Sequence, residues 1–409
     1  MKINKILTIL IVLFALAVAG VIALAVNYYT HDSYMVLNGD SEVTVGLNGV
    51  FDDPGATAFA NGKDISNEVT RSGQIDVTSP GKYTITYKAG NFTLQRQITV
   101  LDYMDPEIVL TDADKEFTMT LGDEFKEPGY YARDSKGNDL TEDVAVSGLE
   151  LTRAGDQKIS YTVTNPEGYT TKVYRNVKVK PNKGYKTSGL PICMYQYVYD
   201  DNDPPEGKNS NYISAGKLEE ELKWLNEHDY YYPTWQEVID YLNGELILPE
   251  KSVVITFDTA STSFFKNALP LLEKYKIPAT CFIVTSKDGV NKISKYNSAY
   301  LEFQSNSDNM HRGGGDVGHG GIFTKLSHDE ALADLKKSIE ITGSDDVFAY
   351  PFGDYNDSCK EIVKEAGFKC AVTTRQGRAM PGDDPYTLPR QRMGNDQSME
   401  TFRALVLPY

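Results

Sequence analysis

The sequence predicts a multidomain chain: an N-terminal transmembrane helix, two all-β sandwiches, and then a distorted (β/α) barrel. Three observations predict it. An uncharged apolar run lies near the N-terminus, a duplicated segment carries the alternating texture of β-strands, and the C-terminal half alternates short apolar strands with helices. A length of 409 residues implies two or three domains rather than one. An apolar fraction of 41% beside 24% charged residues fits core-forming domains. The formal charge is −16, with no run of lysine or arginine. That excludes the basic face a nucleic-acid partner requires.

The apolar run is ILTILIVLFALAVAGVIALAV, Ile6 to Val26, 21 residues without a charge. About 20 such residues span a bilayer as a helix. Lys2 and Lys5 precede it, so the positive-inside rule puts the N-terminus in the cytoplasm and the remaining domains outside. The expectation is a single-pass protein of the cell membrane, with residues 1–32 as cytoplasmic stub and anchor. A cleaved signal peptide is the rival, with AVA at Ala17 to Ala19 as its cleavage site. A signal's apolar core, however, usually spans about 7–15 residues.

The duplication follows. FDDPG at Phe51 to Gly55 returns as FKEPG at Phe125 to Gly129, and VTSPGKYTITY from Val77 returns as LTRAGDQKISYTV from Leu151, both 74 residues later. Period-2 alternation such as YTITY and KISYTV, punctuated by Gly, Pro, Asn and Asp, is the signature of small sandwiches. Neither unit contains cysteine, so each core must hold by packing alone. The units, 33–102 and 103–181, resemble the bacterial immunoglobulin-like domains of cell surfaces. That resemblance implies either polymer binding or a spacer that lifts another domain off the membrane; a tandem pair beside an anchor favours the spacer.

After a loop-like linker, Lys180 to Gly189, the texture changes. In AGKLEEELKWL, Leu218, Leu222 and Leu225 share one face of an amphipathic helix. Five strands are expected, PICMYQ, SVVITF, ATCFIV, DVFAYP and CAVTT, with helices over 262–275, 329–341 and 357–366. Such alternation implies parallel βα units, and residues 190–409 suffice for a barrel. Chemistry in barrels sits at the C-terminal strand ends, where Asp258 follows VVITF. Cys193, Cys281, Cys359 and Cys370 lack metal-type spacing and read as buried small hydrophobes. A Cys359–Cys370 disulfide stays open as an alternative. The aromatic cluster YYYPTW, Tyr230 to Trp235, reads as core.

The ordered motifs PICMYQYV, PTWQEVIDYL, VVITFDTAST, YLEFQSNSDNMH, FAYPFGDYN and LPRQRM resemble those of the polysaccharide deacetylases, the NodB-homology group or carbohydrate esterase family 4. MYQ near the domain start is similar to the MYH of the circularly permuted branch that de-N-acetylates poly-N-acetylglucosamine. The resemblance implies a divalent ion, usually zinc, held by one Asp and two His, with a second Asp as general base and a further His as general acid. Position by position, Asp258 is the base, Thr259 replaces the metal Asp, Asn306 replaces the first metal His, His311 is the second, and Gln196 replaces the acid His.

These replacements run one way. A threonine hydroxyl stays protonated near neutral pH, an amide oxygen is a poor zinc ligand, and a carboxamide cannot titrate. The expectation is therefore a deacetylase fold with a vestigial site and no cofactor. The groove would be walled by Tyr350, Pro351, Phe352 and Arg390, and the ligand would be an N-acetylated glycan of cell wall or biofilm. Two alternatives remain. Asp308, Asp316 or His319, in NSDNMHRGGGDVGHGG, could rebuild a metal site and keep an active metal-dependent de-N-acetylase; or the chain is a structural wall protein.

Overall fold

The computed structural model describes residues 14, 16–21 and 33–408, apart from 61, 102–104, 114 and 167. The anchor expected over residues 6–26 lies mostly outside the described residues. Those described within it are helical, and among the described residues no helix is long and apolar enough to cross a membrane. The chain divides into two compact units. The first holds residues up to Lys115 with Glu127–Gly148 and Lys158–Arg175; the second holds Glu116–Lys126, Leu149–Gln157 and Asn176–Tyr409.

Within the first unit, strands Tyr34–Leu37, Ala56–Ala60 and Lys63–Asp64 form one sheet. Strands Glu42–Gly46, Phe92–Leu101, Gly81–Ala89 and Thr70–Ser72 form the facing sheet, in that order. Burial follows the period of 2 that the sequence carries: Arg96, Ile98 and Val100 point inward from Phe92–Leu101. An arginine at an inward position needs partners, because an unpaired buried charge is costly. Arg96 is 0% exposed, pairs with Asp53, and donates to the Tyr87 hydroxyl (2.9 Å) and the Asp40 carbonyl (2.8 Å). Burial works against the Asp53 carboxylate, but hydrogen bonds from Tyr87, Arg71 and the Gly55 N–H, with the Arg96 charge, hold its pKa below the usual value.

The second repeat builds the same device. Arg175 donates to the Tyr161 hydroxyl (3.1 Å), pairs with Glu127 (3.4 Å) and donates to the Gly129 carbonyl (3.0 Å). The repeated FDDPG and FKEPG thus supply the acid, Asp53 or Glu127, and a glycine at positive φ, Gly55 or Gly129, whose carbonyl turns toward the arginine. An ionic peg takes the place a disulfide holds in many secreted sandwiches. Arg96→Met is expected to destabilise the first sandwich by about 3 kcal/mol, because it breaks a buried ion pair and leaves the Asp40 carbonyl without its donor. Arg71→Ala, which removes an exposed partner of the same acid, should cost under about 1 kcal/mol. Chemical denaturation of the two variants checks both values.

In the second unit, seven parallel strands close a barrel: β1 (Ile192–Tyr195), β2 (Val254–Asp258), β3 (Ala279–Ile283), β4 (Leu301–Ser305), β5 (Val347–Ala349), β6 (Cys370–Gln376) and β7 (Leu388–Arg392). Neighbours pair in order, and β7 returns to β1 through Cys193 opposite Gln391. Helices α1 (Ala215–Glu227), α2 (Trp235–Leu242), α3 (Leu269–Tyr275), α4 (Gly289–Lys295), α5 (His328–Thr342) and α6 (Asp357–Ala366) connect the strands. Thr234 and Ser327 cap α2 and α5 with full capping boxes, which sets their first turns. The helix expected over 262–275 begins instead as a π-turn, Phe264–Ala268, before α3.

Two of the seven strands, β4 and β7, were not among the five expected. LEFQS and LPRQR bury Gln304, Ser305, Arg390 and Gln391, so the apolar run that marks a buried strand is broken by polar side chains. The linker is also more ordered than its composition implies. The Asn182 N–H donates to the Gly244 carbonyl (2.8 Å), and its side chain donates to the Leu121 carbonyl (2.9 Å). A Cβ on Gly244 would lie 2.3 Å from the Asn182 backbone, so this close approach requires glycine. All four cysteines are buried and free, and the Cys359–Cys370 disulfide is not formed.

Candidate functional site

A cavity of about 280 Å³ opens at the C-terminal ends of the barrel strands, lined among others by Gln196, Asp258, Asn306, His311, Phe352 and Arg392. Four of the five positions discussed for catalysis thus meet at one pocket; the fifth, Thr259, adjoins Asp258 in the chain.

Asp258 ends β2 and is held from below. Arg390 on β7 clamps it with two parallel hydrogen bonds, Nη1 to Oδ1 at 2.7 Å and Nη2 to Oδ2 at 2.9 Å. Arg390 is 1% exposed and is fixed by the Thr373 carbonyl (2.8 Å), the Thr256 hydroxyl (3.2 Å) and the Phe282 ring 5.6 Å beneath its guanidinium. The expectation that Arg390 helps wall the groove is corrected here: it lies under the pocket and spends its fork on Asp258. A bidentate guanidinium–carboxylate pair is among the stronger polar contacts.

Beyond Asp258 the backbone turns sharply. Thr259 has φ 69° and Ala260 φ 47°, the left-handed region. A β-branched residue is strained there, whereas Asp, Asn and Gly hold it more readily. The Thr259 hydroxyl is buried and has no hydrogen-bond partner.

Asn306 follows β4 and is 2% exposed. Its amide N–H donates to the Ala349 carbonyl at 2.7 Å, and its Oδ1 is left with no partner. A buried acceptor in this state costs about 1–3 kcal/mol unless something donates to it. His311 packs against Phe352 with ring centroids 4.3 Å apart and the planes tilted by 40°. Burial, the largest influence, pushes the His311 imidazole below its usual pKa, and the Lys287 charge acts in the same direction. Gln196 lies on the pocket wall at the end of β1.

The aromatic wall is narrower than expected. Phe352 and Tyr350 both line the cavity, although Tyr350 is only 2% exposed, packs against Phe348 and Tyr355, and donates to the Tyr386 carbonyl (3.1 Å). Pro351 is buried and does not line the cavity.

The residues considered for a rebuilt metal site are committed elsewhere. Asp308 accepts from the Thr285 hydroxyl (2.7 Å) and pairs with Lys337 (2.8 Å). Asp316 is exposed and pairs with Lys325 (2.6 Å). His319 does reach the cavity rim, but its imidazole is 71% exposed and its Nδ1 lies 3.3 Å from Asp354. Nor is the glycine-rich loop around it a loose insertion. Asp354, 4% exposed, accepts from the backbone N–H groups of His319 and Gly321, both at 2.9 Å.

A divalent ion therefore finds a poor fit. The donors at the expected ligand positions are a hydroxyl, a carboxamide and one imidazole, and Asp258 is already paired with Arg390. Among the described residues no group of three or more His, Cys, Asp or Glu is placed to hold a metal. The pocket also recruits residues that sequence reasoning missed: Tyr197, Ser210, Asn211, Thr374 and Arg392. For Arg392 a signal existed, since residues two apart on a strand share a side, and Arg390 was already singled out.

Comparison with known proteins places this geometry. The chain matches the polysaccharide deacetylase family over residues 247–371 and the Ig-like domain of bacterial surface proteins over 35–100 and 110–179. It is 30% identical over 220 residues to the poly-beta-1,6-N-acetyl-D-glucosamine N-deacetylase of Staphylococcus aureus (strain MRSA252), covering 50% of this chain and 74% of that protein. With the enzyme of the same name from Staphylococcus epidermidis it shares 29% identity over 201 residues, 45% of this chain and 68% of the relative. Among solved structures it is similar to the Streptococcus pyogenes deacetylase PplD in complex with acetate, at 24% identity and a TM-score of 0.48, covering 55% of this chain and 100% of that one. The chain belongs to the polysaccharide deacetylase family, with a deacetylase domain of the poly-N-acetylglucosamine deacetylase type preceded by bacterial Ig-like domains.

Proposed function

We propose that this protein is a non-catalytic glycan binder: a membrane-anchored surface protein whose deacetylase domain holds N-acetylated amino-sugar polymer without hydrolysing it. Residues 6–26 would be the anchor, and the two sandwiches would lift the barrel toward the polymer. The observation that carries the reading is the pairing state of the pocket floor. Asp258 is clamped by Arg390, the Thr259 hydroxyl is unpartnered, and Asn306 presents an amide oxygen with no donor. Without an ion to acidify it, a water in this pocket stays protonated near neutral pH, and no nucleophile forms. With Gln196 where an imidazole would stand, that position supplies no proton to a departing amine.

What the pocket offers is recognition. Phe352 presents an aromatic face to a sugar ring, and Gln196, Ser210 and Tyr197 bring carboxamide and hydroxyl groups to its edge. The free Oδ1 of Asn306 is an acceptor suited to a sugar hydroxyl or an acetamido N–H. The test pairs two readouts on the full-length protein: binding of N-acetylglucosamine oligomers, and acetate release with and without added zinc. The expected result is binding with no acetate. Acetate release that stops with chelator would establish an active de-N-acetylase instead, and failure to bind any glycan would favour a structural role.

A further inference from the structure

We propose that the pocket selects a glycan that carries a carboxylate beside its N-acetylated sugar, and that Arg392 is the residue that reads it. The inference rests on the glycan-binding reading above and names the ligand class of the same site.

The argument is one of unpaired charge. Among the described residues Asp258 is the one acid lining the cavity, and both of its oxygens accept from Arg390. Arg392 sits two residues beyond Arg390 at the end of β7, on the cavity wall. Its side chain donates to the Asn211 amide oxygen, and no carboxylate among the described residues forms an ion pair with it. A guanidinium carries five N–H donors in a flat fork, so most of that capacity stays open toward the cavity. Burial, the largest influence, disfavours its charge; Asp258 favours it, and the neighbouring Arg390 disfavours it to a lesser degree. In a chain of net charge −16, this pocket is a local exception with one uncompensated cation.

An anion entering the pocket would relieve that state. A carboxylate matches the fork with two parallel hydrogen bonds, and the hydroxyls of Ser210 and Tyr197 add donors nearby. The reverse follows for a deacetylated sugar. Its ammonium would meet Arg392 and find no free carboxylate, since Asp258 is already paired. The pocket therefore ranks ligands as carboxylated above neutral above cationic. Two glycan chemistries supply the carboxylate, a lactyl ether on an N-acetylated sugar or a neighbouring uronic acid.

Four probes separate these cases by calorimetry on the full-length protein: a neutral N-acetylglucosamine tetramer, a glucosamine tetramer, a tetramer alternating N-acetylglucosamine with glucuronate, and the disaccharide of N-acetylglucosamine and N-acetylmuramic acid. At least one carboxylated probe should bind about tenfold tighter than the neutral one, as a charge-assisted bond of this kind supplies. The advantage should shrink as salt rises. Arg392→Gln should abolish most of it, and Arg392→Lys should keep part, because an ammonium keeps the charge without the fork. A purely structural role for Arg392 would instead weaken all glycans alike and lower Tm in both variants. Equal affinity for neutral and carboxylated probes, or an advantage that survives Arg392→Gln, overturns the inference while leaving glycan binding intact. If none of the probes binds, both readings fall together.

Discussion

The triple variant Gln196→His, Thr259→Asp, Asn306→His is expected to bind zinc stoichiometrically, whereas the wild type and each single variant do not. Two structural details make this the expectation rather than a wish. Asn306 donates to the Ala349 carbonyl at 2.7 Å. A metal-bound histidine makes the same kind of bond through its second ring nitrogen, which fixes the tautomer and aims the other nitrogen at the ion. The seat for a ligating imidazole is thus still built. Thr259 occupies a left-handed backbone position (φ 69°) that suits aspartate better than a β-branched side chain. The support for a metal site remains after its ligands have changed. Singles fail because one restored donor beside His311 leaves the ion short of the three protein ligands that zinc sites of this type use, and ligands acting as a unit are strongly non-additive. Zinc titration of the four variants and the wild type reads this directly. A triple variant that stays metal-free would mean that the strand ends have shifted away from ligating geometry.

Removing Arg390 should be the most destabilising single change at the site. Arg390→Leu leaves Asp258 mostly buried with no other hydrogen-bond partner in the described chain, and also frees the Thr373 carbonyl. Breaking one side of such a pair costs about 3–5 kcal/mol. The double variant Asp258→Leu, Arg390→Leu should recover much of that loss, since an apolar pair of similar volume avoids the stranded charge. Denaturation of wild type, both single variants and the double variant forms the cycle. If Arg390→Leu costs under about 1 kcal/mol, the pair is solvated in a way its burial denies.

Much of the architecture was legible in the sequence because it is written in periodicity. The 74-residue repeat announced two similar sandwiches, and the alternation of apolar strands with amphipathic helices announced the barrel. What escaped was polar and inward. β4 and β7 bury Gln304 and Arg390, so neither reads as an apolar run. Arg96 and Arg175 lie at inward positions of strands whose other inward residues are aliphatic, and the acids that satisfy them come from FDDPG and FKEPG far along the chain. Local pattern does not encode such partners.

The candidate site divides the same way. Asp258, Asn306, His311 and Gln196 were found by motif order, and the fold gathers them at one cavity. Arg390 belongs beneath the groove rather than in its wall, and Tyr350 lines it while almost wholly buried, because burial depth at a strand end is set by the neighbouring strands and loops. Ser210 and Asn211 reach the pocket from a loop where no chemistry-bearing motif pointed, whereas Arg392 lies within LPRQRM, two residues beyond Arg390.

The most direct measurement is the metal content of the wild-type protein after equilibration with zinc and removal of free ion. Zinc at background level, unchanged by Asp258→Asn, is what a pocket floored by an ion pair and a carboxamide predicts. One tightly held equivalent per chain, lost when His311 is replaced by alanine, would contradict the account.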